Sequence, residues 1–200
     1  MKKIVPKAAG QFGAAIKLIQ LSPSMLILIS CIFLFVTALA LVLLRMFQPN
    51  ARYGWLVAAG GALLSLGSMF AWLTQMPFDL SLPAWQPVTL FTSPILFRAN
   101  GISWVLAMSI TALTFSILLT TVTQQVYVNS LAWAGTLTLG GLGVLAVSAY
   151  NPLTLLLVWA ALDLAELITQ LSSVKGADNN ERVVIAFSTR ALGIGFLLWA

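Results

Sequence analysis

Histidine is absent from this chain of 200 residues, cysteine occurs once, at Cys31, and acidic residues number five. Without histidine there is no imidazole to shuttle protons, ligate haem or complete most metal sites. One cysteine excludes an intrachain disulfide and any cysteine-cluster metal centre. Charge of either sign is scarce: 8% of residues are charged, against about 25% in ordinary soluble domains. That leaves too little polar surface to coat a particle in water. What the chain does have is apolar residues, 60% of the total, arranged in long runs. These predict an all-α, polytopic transmembrane helix bundle rather than one or two soluble domains. The net charge of +5 gathers near the amino terminus, which reads as a topology signal or membrane-surface contact rather than a nucleic-acid stripe.

A spanning helix needs about 20 apolar residues, and such runs recur. They predict six helices, over residues 24–46, 54–75, 101–123, 128–149, 152–173 and 183–200. Ahead of them, residues 1–22 form a basic segment. There Val5, Ala9, Phe12, Ile16 and Ile19 share a helical face opposite Lys3, Lys7 and Gln11. That pattern suits a helix lying among lipid headgroups, or a tail whose lysines touch phosphates. The run from Met25 is too long for a signal-peptide core and no A-x-A cleavage pattern follows. Pro77, Pro83, Pro87 and Pro94 interrupt residues 76–100, which predicts a loop. Pro152 suits the first turn of the fifth helix, and Lys175 to Arg182 reads as a polar turn before the sixth. The final run is still apolar at Trp199-Ala200, as in the front portion of a longer chain. Lys2, Lys3, Lys7 and Lys17 favour a cytoplasmic amino terminus, while Arg45 and Arg52 on the other side weaken that bias.

Three charges fall inside predicted spans: Asp163 and Glu166 in the fifth helix and Arg190 in the sixth. Each costs about 2.5–3.5 kcal/mol at a helix centre, so such residues face a bundle interior or water and are functional candidates. Asp163, Glu166, Gln170 and Ser173 recur at helical spacing and form one polar stripe. Counted from the 175–182 turn, Glu166 and Arg190 lie at the same depth, about 12 Å, with Asp163 deeper. Glu166 is therefore expected to pair with Arg190 and leave Asp163 less compensated, as a buried proton carrier requires. A structural ion pair that fixes helix register is the alternative. Gly60-Gly61, Gly140-Gly141-Gly143, Gly193 and Gly195 read as close-packing positions, and Cys31 as an inert packing residue.

Three local patterns then carry a resemblance. Phe97-Arg98-Ala99-Asn100-Gly101-Ile102-Ser103 resembles an F-x-x-D-G-[LI]-S element. Asn151-Pro152-Leu153 running to Trp159-Ala160 resembles an asparagine-and-leucine run leading to a Trp-Glu pair. Ala186-Phe187-Ser188-Thr189-Arg190-Ala191-Leu192-Gly193 resembles F-x-x-[ST]-R-x-G-D. The family with these elements is the antiporter-like one: the proton-translocating membrane subunits of respiratory complex I, related hydrogenases and multi-subunit cation/proton antiporters. The resemblance implies a larger helix bundle in a prokaryotic plasma membrane, with Asn100, Ser103 and Trp159 at motif positions. It also implies partner membrane subunits, quinone-reducing subunits among them, and at most a non-redox role in an NADH–quinone oxidoreductase-type complex. No cofactor is expected, since no ligands for flavin or iron–sulfur clusters are offered. Three departures stand out: Ala160 replaces the glutamate after tryptophan, Asn100 replaces the aspartate, and Gly193 stands where an acid often follows the arginine. Asp163, one turn beyond Ala160, is placed to substitute for the missing carboxylate. A membrane subunit of an inorganic-carbon uptake complex, or a non-transporting structural subunit, are the alternative readings.

Overall fold

A computed structural model describes residues 25–48, 53–74, 77–82, 94–123, 130–173 and 177–199. The basic segment 1–22 lies outside the described residues, as do Lys175 and the connection around it. Six helices follow one another: α1 (Met25–Phe47), α2 (Gly54–Leu73), α3 (Gly101–Thr123), α4 (Ser130–Ser148), α5 (Pro152–Ser173) and α6 (Ala177–Trp199). The first five are long and apolar enough to cross a membrane, whereas α6 carries a shorter apolar stretch, Val183–Phe196. The difference lies in the first turns of α6, where Asp178 to Arg182 continue the helix instead of forming a separate turn. The chain is a multi-pass integral membrane protein. Its outer faces support this, since Ile32, Val36, Leu39, Leu63, Leu64, Leu113 and Ile117 are exposed, which suits lipid and not water.

The interior is stacked in two apolar clusters. One joins Cys31, Met69, Trp72, Ala107, Val144 and Val158; the other joins Leu34, Leu41, Ala58, Leu118, Ala134 and Leu137. α4 is the hub, packed on α1, α3 and α5, while α6 packs on α5. Small residues allow these close approaches. A Cβ on Gly61 would collide with Thr37 of α1, one on Gly140 would stand 2.6 Å from Thr114 Oγ1 of α3, and one on Gly141 would stand 3.0 Å from the Phe35 ring of α1. The threonines can face these surfaces because their hydroxyls donate to carbonyls one turn back: Thr37 to Phe33 and Thr114 to Ile110. Neither hydroxyl is thereby left bare in an apolar layer. Between α1 and α2, Ser65 Oγ donates to the Ser30 carbonyl at 3.0 Å and the Ser30 and Ser68 hydroxyls meet at 2.6 Å. Buried Cys31 points its sulfur at the Gly141 carbonyl. Gly193 and Gly195 of α6, by contrast, meet nothing within 4 Å.

The expected 76–100 loop contains two antiparallel strands, β1 (Phe78–Leu82) and β2 (Ile95–Ala99), paired as Asp79↔Arg98 and Leu80↔Phe97. Pro77 and Pro94 precede the strands and so do not break their ladder. Apolar and polar residues alternate in β1, whereas β2 is apolar except for Arg98. Leu80, Phe97 and Ala99 are buried against the bundle end, while Asp79, Ser81 and Arg98 face outward. The ribbon also touches the α4–α5 junction through a Phe97↔Ala149 bridge.

Candidate functional site

The site lies on the seam between α5 and α6. The two helices run antiparallel, so residues climbing α5 meet residues descending α6. Asp163, Glu166 and Gln170 follow at helical spacing on the α5 face turned to α6. From α6, Arg190 NH1 donates to Glu166 Oε2 at 2.6 Å and stands 3.8 Å from Asp163 Oδ1. Gln170 Nε2 donates to the other oxygen of Glu166 at 2.7 Å. Both Glu166 oxygens are thus engaged. Asp163 has the guanidinium at ion-pair range but beyond hydrogen-bond reach. It is also the most enclosed of the three, its side chain 11% exposed against 34% for Glu166 and 53% for Arg190. A cleft of about 580 Å³ opens along the seam, with walls from Leu139, Leu162, Ile194 and Trp159.

Charge counting describes the chemistry available. With all three groups ionised the seam carries one net negative charge, since one guanidinium faces two carboxylates. In a low-dielectric layer that surplus is costly, and a proton on either carboxyl removes it. Asp163, with no hydrogen bond from Arg190, is the less engaged of the two carboxylates. Among the described residues no cluster of three or more acidic, histidine or cysteine side chains is placed to hold a metal ion.

The motif positions divide. Trp159 lines the cleft. Asn100 and Ser103 lie at the ribbon end, where they close the start of α3 on each other. Ser103 N–H donates to Asn100 Oδ1 at 2.8 Å and Asn100 N–H donates to Ser103 Oγ at 2.7 Å, a reciprocal cap. Asp163 lies 12 residues into its helix beyond Asn151, about 18 Å along the axis, so these two are not brought to the charged seam. Sequence reasoning missed the ion pair between Arg98 and Asp79, which is bidentate at 2.6 and 2.8 Å with the Arg98 guanidinium 3.8 Å over the Tyr150 ring. Hydrogen bonding to Arg98 holds the Asp79 carboxyl below its usual range, and the same bond raises Arg98. The period-two alternation of residues 78–82 was the available signal. Sequence reasoning also missed the second role of Asn151, which besides capping α5 donates Nδ2–H to the Pro94 carbonyl at 2.7 Å.

No protein-family model and no curated protein matches the chain.

Proposed function

We propose that the chain is a proton-translocating, antiporter-like membrane subunit of a complex I-type assembly, seated in a prokaryotic plasma membrane beside partner membrane subunits. Asp163 accepts and releases the transferred proton. Glu166 competes with it for the guanidinium, and Arg190 holds whichever carboxylate is charged. The observation that carries this reading is the imbalance of the seam: one arginine, two carboxylates, and the less engaged carboxylate the more deeply enclosed. Ala160, in the position where the resembling family has its glutamate, is the reason Asp163 takes that role here.

The test is Asp163→Asn in vesicles containing the full chain, under an imposed membrane potential and with a pH-sensitive dye inside. Proton movement is expected to disappear while thermal unfolding stays close to that of the parent. Undiminished proton movement in the variant removes Asp163 from the mechanism. A structural role predicts something different: Glu166→Gln and Arg190→Gln would each destabilise the bundle, and the double variant would regain both stability and transport.

A further inference from the structure

The start of α5 is fastened to the ribbon by a closed set of hydrogen bonds. Asn151 Oδ1 accepts the Thr154 N–H at 2.8 Å and also the Thr154 hydroxyl. The same hydroxyl oxygen accepts the Leu96 N–H at 3.0 Å. Asn151 Nδ2 donates to the Pro94 carbonyl, and the Tyr150 N–H donates to the Leu96 carbonyl at 3.0 Å. Thr154 is completely buried. Helix capping requires the Oδ1 acceptor alone. The amide donor does something else, since it ties α5 to a carbonyl 57 residues earlier in the chain.

What that tie controls is axial height. Asp163 and Glu166 are three residues apart, about 4.5 Å along the helix, and one guanidinium serves both. Its distances are 2.6 Å to Glu166 and 3.8 Å to Asp163, a difference smaller than the axial rise of one residue, about 1.5 Å. Among the described residues, α4, which also packs on α5, carries no charge, and Arg98 is committed to Asp79.

We infer that Asn151 is a positioning residue whose side-chain amide, fastened to the ribbon, sets the height of α5 and thereby which carboxylate Arg190 grips. The effect on transport rests on the proton-translocating reading, whereas the geometric role does not.

Asn151→Asp keeps the capping oxygen and removes the donor, which separates the two jobs. Thermal midpoints of the full chain in lipid nanodiscs are compared for the parent, Asn151→Asp, Arg190→Gln and the double variant. Independent sites this far apart give additive shifts. Here the double variant is expected to fall short of the sum by at least about 2 °C, and additive shifts overturn the inference. If Asn151→Asp does not fold, the same cycle is run at Thr154. There Thr154→Val is expected to couple to Arg190→Gln, and Thr154→Ser, which retains the hydroxyl, is expected to restore parental behaviour. A serine variant indistinguishable from valine also overturns the inference. In proton-flux vesicles, Asn151→Asp is expected to move the pH profile of flux and Thr154→Ser to leave it in place. Absence of flux in the parent would count against the transport reading, with the unfolding cycle still deciding the positioning role. An additive cycle in a chain that does move protons defeats the positioning role alone.

Discussion

Arg98 and Arg190 both hold carboxylates, and they do so in different proportions. Arg98 meets one acid, Asp79, through two parallel hydrogen bonds, with the Tyr150 ring beneath it. Arg190 meets two acids and bonds only one of them. The first arrangement is satisfied and stands at the outer face of the ribbon, where water screens what remains. The second lies on the seam of two apolar helices, where Asp163 is enclosed although Arg190 is half exposed, so that carboxylate is the less screened. A matched pair has one stable state. Arg190 has two acids within 4 Å and hydrogen-bonds one, and the transfer role proposed above rests on that second arrangement.

The sharpest way to break the contrast is Asp163→Asn, which makes the trio a matched pair; proton flux in vesicles is expected to vanish with the fold retained. Arg190→Gln comes next, because it leaves two carboxylates without their cation. A lowered thermal midpoint is expected, with a loss smaller than the roughly 3–5 kcal/mol of a fully buried pair because the Arg190 side chain is half exposed. Glu166→Gln should act less strongly. Arg190 is then free to close the remaining 3.8 Å to Asp163, so flux is expected to fall severalfold without disappearing. Asp79→Asn is the mildest, a shift in midpoint at the edge of detection that added salt erases. Its sign with pH is defined. Arg98 depresses the Asp79 carboxyl in the folded chain, so its contribution is present above the ordinary carboxylate range, about pH 4. It is lost as pH falls through the folded value. The midpoint difference between parent and Asp79→Asn should therefore close in acid.

The seam was legible in the sequence because charges are so few. Asp163, Glu166 and Arg190 announce themselves by being charged in apolar runs, and counting residues from the following polar stretch sets Glu166 level with Arg190. The bundle was legible for the same reason, since uninterrupted apolar runs of spanning length have few other solutions. The ribbon was not. Its strands are five residues each, too short for alternation to outweigh four prolines nearby. The partners of Asn151 were hidden by distance along the chain: an asparagine before a proline looks only like a helix start, and nothing local points to Pro94. Among the glycines, spacing alone could not separate Gly140 and Gly141, pressed against neighbouring side chains, from Gly193 and Gly195, which press against none.

The solitary thiol of Cys31 has a practical corollary. It is 2% exposed, turned toward a backbone carbonyl in the heart of the bundle, and so is shielded from polar maleimides and spin labels. Engineered cysteines on the outward faces of α5 and α6 can accordingly be tagged selectively in the native background, giving probes that follow relative helix travel without first rebuilding the interior.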